Sequence, residues 1–453
     1  MKYLSPFSLD NGFEFFGAYY DSGDEYSLLV QAQYGTSIIL SNELLGYVEK
    51  ATPSEDLQFK LIQHGLGRIE GSNEIVDAND KILPTYFLVD LTKCCNLRCK
   101  YCFRDLQANE EIIADEEIDA ICNYIFEYVK KHNINRFSIQ PWGGEPLIRL
   151  DKIIRIREFF EGKGIYPEIS IETNGTLLDE KTVELLKNNN IHIGVSIDGT
   201  ELIHNIQRPY MQGEESFAKV ISGIQNLQKA GYEGLGSITV ITKNNYNKID
   251  EILDFFAKRL KLNSVKLNPL RKTASNDYLG IEIEEIEEFT YSLLSKLIEL
   301  NKAGYRIIDS NIANKIKNLI IRPDENICNA KGCMGGKGLI SFDKNGNIYP
   351  CEMSDYPEEC IGNIHSGADL CDNIKDALKT QGFYKTKKAD ICNTCPWWYY
   401  CRGGCSSTVK FTSKEVCGID LGECDVNRIL YPKLVRLILD DEDTALLLAG
   451  LKG

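Results

Sequence analysis

Eight cysteines in the last third of this 453-residue chain constrain it more than any other feature. They run Cys328, Cys333, Cys351, Cys392, Cys395, Cys401, Cys405 and Cys424, with Gly346 ahead of Cys351 in GNIYPC and four of them inside CNTCPWWYYCRGGC. A stretch so rich in cysteines, glycines and turns lacks a sufficient core of its own, so bound metal is expected to supply much of its folding energy. A second group, Cys95, Cys99 and Cys102 in CNLRCKYC, stands far away in the sequence. Together the two groups point to iron–sulfur clusters, one of them reactive. Three thiolates on one loop can hold three irons of a cubane whose full ligation needs four, which leaves one iron open.

The sixteen cysteines would suit disulfides in a secreted protein. The N-terminus, MKYLSPFSLDNGFEFF, lacks the basic start, apolar run and small-residue cleavage site of a signal peptide. No uninterrupted apolar run is long enough to cross a bilayer, so no membrane partner is expected. The reducing cytoplasm follows as the expected compartment, where clustered cysteines bind metal or do chemistry. A formal net charge of −15 argues against nucleic acid as a partner. The five histidines form no short His-x-x-His arrangement, so sulfur is the expected ligand. Zinc on the first loop would want four ligands in paired C-x2-C arms. The next cysteine downstream, Cys122, falls in a helical pattern and reads as core.

Periodicity divides the chain. Residues 1–83 pair strand-like runs (YSLLVQAQYGTSIIL) with two short helices, one capped by Ser41, the other starting at Ser54 and stopping at Gly65. This is expected to be a small winged-helix-like module. Residues 84–305 alternate strands (FLVDLT, RFSIQPW, EISIET, IHIGVSID, GSITVIT, SVKLNPL) with amphipathic helices. Mostly apolar strands of this kind suit a parallel sheet covered by helices. Six such units predict an α/β fold, a partial (β/α)6 barrel, with ligands at the C-terminal strand ends. A linker helix is expected over 306–327, a cysteine-rich domain over 328–430 and a closing helix over 431–453.

The spacing of Cys95, Cys99 and Cys102, behind a strand ending in LT and with Tyr101 before the last cysteine, resembles the radical S-adenosylmethionine superfamily. Cys94 lies outside that spacing and reads as a bystander. The second strand ends in Gly143-Gly144-Glu145-Pro146, the third in Glu172-Thr173-Asn174-Gly175, the fourth in Ser196-Ile197-Asp198-Gly199. Glycines permit close backbone approach, and a carboxylate accepts hydrogen bonds from an ammonium. The resemblance implies that Gly143, Gly144 and Glu145 bind the methionine amino group and that Asn174 and Ser196 contact the ribose and carboxylate. It further implies that Arg208, in HNIQRP, helps hold the methionyl end, and that Tyr101, on the three-cysteine loop, is a cofactor contact too. The bland reading of each is a turn or cap residue. The family's chemistry is reductive cleavage of S-adenosylmethionine to a 5′-deoxyadenosyl radical, which abstracts hydrogen from an unactivated carbon.

The C-terminal pattern resembles the SPASM extension carried by a subset of that superfamily. By that resemblance two auxiliary 4Fe-4S clusters are bound, making three 4Fe-4S clusters in all. Cys333, Cys351 and Cys405 would hold the first, with Cys328 as fourth ligand or else an open iron. Cys392, Cys395, Cys401 and Cys424 would hold the second, with Cys417 competing for the last position. Cys360 and Cys371 match nothing in the pattern. A zinc ribbon explains C-x2-C alone.

SPASM enzymes mostly modify peptides. More than 80 residues precede the first barrel strand, and that segment could bind a leader peptide by adding it to a sheet edge. The expected function is a maturase that installs a thioether or carbon–carbon cross-link in a ribosomally made precursor peptide, served by a flavodoxin- or ferredoxin-type electron donor. The alternatives are a sulfatase-type formylglycine maturase, a small-molecule or sugar dehydrogenase, and a non-catalytic iron–sulfur scaffold or electron carrier. No spacing singles out a general base among Asp343, Glu352 and Asp355.

Overall fold

The computed structural model describes residues 1–70, 82–104, 106, 112–232, 235–321, 328, 332–354, 356–380, 389–412 and 418–452. The N-terminal segment opens with strands β1 (Lys2–Leu4), β2 (Phe7–Ser8), β3 (Phe13–Phe15), β4 (Ala18–Ser22), β5 (Tyr26–Gln31) and β6 (Thr36–Ser41). Helices Asn42–Glu49 and Glu55–Gln63 follow, then β7 (Gly67–Ile69). Ser41 and Ser54 cap the helices, each hydroxyl accepting from the backbone N–H three residues on. The strands form an antiparallel sheet in the order β1-β4-β5-β6 and a smaller one in the order β2-β3-β7. Alternation along β5 serves two cores: Leu29 faces the segment's own, while Leu28 and Val30 join the main core of the molecule. The module is therefore fused to the body rather than tethered to it.

The central sheet starts with β8 (Tyr86–Asp90), β9 (Ser138–Trp142), β10 (Glu168–Thr173), β11 (Ile191–Ser196), β12 (Gly236–Ile241) and β13 (Ser264–Pro269). These are the six expected strands, all parallel and in sequence order. A seventh, β14 (Ile308–Asp309), occupies the start of the expected linker helix, which begins only at Ser310 and spans Ser310–Ile320. Phe87 and Val89 face the helices, so Tyr86, Leu88 and Asp90 face the lumen. There Tyr86 donates to Gln140 at 2.6 Å.

The cysteine-rich region is not a separate layer. Its strands β15 (Leu339–Phe342), β16 (Asn347–Tyr349) and β17 (Gly362–Asn363) continue the barrel sheet, with β15 lying parallel to β8. A hairpin short of core thus gains one by pairing with an existing strand. The closing helix spans Leu421–Asp440, starting ten residues earlier than expected because Asp420 caps it. Cys424 therefore sits on its first turn. Tyr431 on the same helix stacks on Trp397 at 4.8 Å and Tyr400 at 5.2 Å, which anchors the CNTCPWWYYC segment. Among the described residues no helix is long and apolar enough to cross a membrane.

Candidate active site

The loops after β8 to β13 gather at one end of the sheet, where parallel sheets place their ligands. The first carries Cys95, Cys99 and Cys102. It is held from both sides: Gly144 N–H donates to Thr92 O at 2.8 Å and Glu145 N–H to Cys94 O at 2.9 Å, while Arg98 and Lys100 donate to Pro209 O and Gln207 O. A Cβ on Gly144 would lie 2.2 Å from Cys94 O, so this contact requires glycine. Burial pushes the Cys95 thiol up to about 11 and Cys99 up to about 12, and each of the three thiols feels the others or their flanking arginines. Thiols in this setting stay protonated unless a bound cation displaces the proton.

The residues read as cofactor contacts surround this loop. Glu145 is fully buried, and burial raises its carboxyl while its donors lower it. Oε1 accepts from Leu147 N–H and Thr173 Oγ1, and Oε2 from Asn174 N–H. A carboxylate offers about four acceptor sites, so one remains for an ammonium. Asn174 donates to Asn96 Oδ1 at 2.8 Å and approaches Cys95 Sγ at 3.9 Å. Ser196 ends β11. Gly143 abuts Thr92 and Asp90.

Arg208 and Tyr101 meet at Asp198, which the sequence placed at a strand tip without a role. Tyr101 donates to Asp198 Oδ2 at 2.7 Å, Arg208 Nε donates to the same oxygen at 2.9 Å, and the guanidinium lies over the Tyr101 ring at 5.4 Å. His204 lies behind them, accepting from Asp198 N–H and contacting Ser216 Oγ at 3.0 Å. Burial lowers His204 to about 4, so it is neutral.

The eight C-terminal cysteines sort into two sets. Cys328 feels Cys333, Cys351 feels Cys333 and Cys405, and Cys405 feels Cys333; burial is the largest influence on each and raises all three. Cys401 feels Cys424, and Cys424 feels Cys395 and Cys392, again after burial. The structure thus brings Cys328, Cys333, Cys351 and Cys405 together, and Cys392, Cys395, Cys401 and Cys424 together. Cys417 lies outside the described residues. Cys122 is core, as expected. Cys371 is buried beside Tyr128 and His132.

A cavity of about 580 Å³ is lined by Asp90 and by Thr92, Lys93 and Arg104, which flank the three-cysteine loop, and also by Cys351 and Glu352. Of the three acids weighed as bases, Glu352 and Asp343 both line this cavity, and Glu352 accepts from Arg271 at 3.2 Å. Asp343 is bonded to Asn345 and Asn347 N–H and holds the β15–β16 turn. Asp355 lies outside the described residues. Sequence reasoning missed Arg271, Asn276, Asp90 and Trp142. Asp90 and Trp142 end their strands and Arg271 stands two residues past β13, which was the available signal, whereas Asn276 lies seven residues past β13. Asn276 donates to both Arg271 O and Tyr101 O, tying the Arg271 loop to the three-cysteine loop.

A lumen-lined parallel sheet with a three-thiol loop at its C-terminal end defines a class of cluster enzyme. The sequence matches the radical SAM superfamily over residues 89–256, from β8 into the helix that precedes β13. This chain belongs to the radical SAM superfamily and is an enzyme. It is similar to the cysteine-type anaerobic sulfatase-maturating enzyme of Clostridium novyi (strain NT), at 28% identity over 332 residues, covering 69% of this chain and 84% of that protein. Among solved structures it resembles native anSMEcpe with bound AdoMet (TM-score 0.66, 22% identity, 78% of this chain and 99% of that one). It also resembles Streptococcus suis SuiB bound to precursor peptide SuiA (TM-score 0.54, 17% identity, 91% and 97%). These likenesses concern the fold. Membership brings S-adenosylmethionine and a 4Fe-4S cluster as cofactors. The donor set around Cys95 fits that pair: three thiols, one remaining carboxylate acceptor site and an amide aimed at sulfur.

Proposed function

We propose that the protein is a peptide maturase that installs a thioether or carbon–carbon cross-link in a ribosomally made precursor. The observation that carries this reading is one cavity lined both by Thr92, Lys93 and Arg104, which flank the three-thiol loop, and by Cys351 and Glu352. Cys95, Cys99 and Cys102 would hold the reactive cluster. Tyr101, Gly143, Gly144, Glu145, Asn174, Ser196 and Arg208 would hold S-adenosylmethionine. The two cysteine quartets of a SPASM domain would hold two auxiliary 4Fe-4S clusters. Bound, these groups supply a carbon-centred radical that takes one hydrogen atom and a one-electron acceptor.

The chain's own residues do the rest. Asp90 and Trp142 are register partners at the tips of β8 and β9. Asp90 Oδ1 and Trp142 Nε1 are buried with no hydrogen-bond partner among the described residues. An acceptor beside a donor is the complement of one substrate amide, and a buried polar group costs about 1–3 kcal/mol when left unmatched. Arg104 holds the other Asp90 oxygen and so aims the first. Glu352 is placed to take the proton of a substrate thiol as the new bond forms. The residues ahead of β8 would bind the leader by strand addition at an outer strand of the β1-β4-β5-β6 sheet.

The sulfatase-type alternative is favoured by the relative from Clostridium novyi. One experiment separates the two. Anaerobic, cluster-loaded protein is given S-adenosylmethionine, a flavodoxin or chemical reductant, and two probes: short peptides encoded beside the gene, and a cysteine-containing sulfatase-type peptide. Loss of two hydrogens from a neighbouring peptide, with its sulfur kept, supports cross-linking. An aldehyde formed with loss of sulfur supports the alternative. No 5′-deoxyadenosine with either probe overturns both.

A further inference from the structure

On the side of the barrel away from the active-site loops, His132, Asp369 and Cys371 turn one ligand atom each toward a common point. His132 caps the C-terminus of helix Asp115–Lys131, and Asp369 and Cys371 stand at the start of helix Leu370–Thr380. The segments are more than two hundred residues apart in sequence. His132 Nε2 lies 3.7 Å from Asp369 Oδ2 and 4.0 Å from Cys371 Sγ, and all three atoms fall within 4.8 Å of one another. Tetrahedral zinc, with bonds of about 2.0–2.1 Å to nitrogen or oxygen and about 2.3 Å to sulfur, holds its ligand atoms about 3.4–3.6 Å apart. The two gaps from His132 exceed that by a few tenths of an ångström, and the gap between Asp369 and Cys371, within 4.8 Å, closes by rotation about their side-chain torsions.

Helix capping accounts for part of this arrangement. Asp369 Oδ1 accepts from Cys371 N–H at 2.8 Å, which is an ordinary cap. It does not account for the rest. Oδ2 faces His132 and is shared with Lys131 at 2.6 Å, whose side chain is 63% exposed. Exposed pairs of that kind contribute about 0–1 kcal/mol, so Lys131 does not bar a cation. The Cys371 thiol is buried, and its contacts with Tyr128 Oη (3.9 Å), Ile82 O (3.9 Å) and His132 (4.0 Å) are all long. The ring of His132 packs on Tyr128 at 4.8 Å, which fixes its orientation.

We propose that His132, Asp369 and Cys371 bind one zinc ion, with water in the fourth position. One nitrogen, one oxygen and one sulfur donor suit a borderline-soft cation better than calcium or magnesium, which take oxygen alone. The ion would clamp the helix that leads toward Cys392 and Cys395 onto the first barrel helix. The site is independent of the cluster assignments, since it uses none of their cysteines.

The test is zinc and iron content of the anaerobic, cluster-loaded protein after dialysis with added zinc, with zinc-edge X-ray absorption. Wild type is expected to keep one zinc whose shell has a single sulfur among nitrogen and oxygen. Cys371→Ser and His132→Gln are expected to lose it, with at least a tenfold weaker affinity, while iron is unchanged. No zinc in wild type, an all-sulfur shell, or zinc retained equally in both variants would overturn the proposal. If Cys371→Ser fails to fold, His132→Gln at the helix end decides alone.

Discussion

The Tyr101 hydroxyl donates to Asp198 Oδ2 at 2.7 Å, so a side chain from inside the three-cysteine loop is bolted to the tip of β11. Arg208 shares that oxygen, and all three groups are buried. Asp198→Ala would strand a buried guanidinium, and a buried pair broken this way costs about 3–5 kcal/mol. Tyr101→Phe removes one hydrogen bond to a charged acceptor, about 1.5–3 kcal/mol. Urea unfolding of the two variants should rank them in that order. Both should weaken S-adenosylmethionine binding in equilibrium dialysis.

Gly144→Ala should separate a backbone requirement from a chemical one. The added carbon meets Cys94 O at 2.2 Å and Cys95 Cβ at 3.1 Å, and neither can yield without moving the loop. A cost of about 1–3 kcal/mol in stability is expected from such overpacking. Iron at the first site should fall, while Gly162→Ala, where nothing lies within 4 Å, should leave iron and stability unchanged.

Cys94 and Cys95 are neighbours with different fates. Cys94 serves the fold through its backbone carbonyl, which accepts from Glu145 N–H. Cys94→Ala should keep the full iron content, and Cys95→Ala should lose about four irons per chain. Cys351→Ala and Cys401→Ala, one from each quartet, should each lose about four, and the double variant about eight. Equal iron in Cys351→Ala and wild type would remove the first auxiliary site.

Arg271 is a half-buried cation beside Cys328, Cys351 and Cys405, and it bonds Glu352 next to Cys351. Net charge is one of the factors that sets a cluster's potential. Arg271→Gln should lower the potential of that auxiliary cluster by about 30–60 mV, the upper figure being tenfold for one electron. Glu352→Gln should raise it. A redox titration followed by electron paramagnetic resonance reads both signs, and unchanged potentials at full iron content would remove the role.

His204 should make the acid side of the stability profile steep. Its folded value is about 4 against 6.5, because burial disfavours the charged form. Its contribution is complete above pH 6.5 and is lost as pH falls toward 4, because the unfolded chain takes up a proton the folded chain refuses. The loss is on the order of 3 kcal/mol. Asp309 works the other way: burial raises it to about 6, so its contribution is present below 3.8 and lost as pH rises through 6. The two partly cancel in wild type. Asp309→Asn should steepen the decline in urea midpoint between pH 6.5 and 4, and His204→Gln should flatten it.

The sequence by itself determined the parallel strands, because their apolar runs must be buried on both faces. It also set out the cysteine pattern, whose resemblance to a known spacing implied two quartets, because a spacing is written in the chain itself. Ser41 and Ser54 as caps were legible for the same reason: a cap acts within one turn. What only the tertiary structure decided depends on partners distant in the chain. Pairing of β15 with β8 made the cysteine-rich region an extension of the barrel, and no periodicity in LISF announces that partner. The same holds for Asp198 between Tyr101 and Arg208, for Asn276 between two loops, and for Glu352 beside Arg271 in the cavity wall. Each is an ordinary polar residue in a loop beyond a strand, and its role comes from the neighbours that folding brings within hydrogen-bond reach.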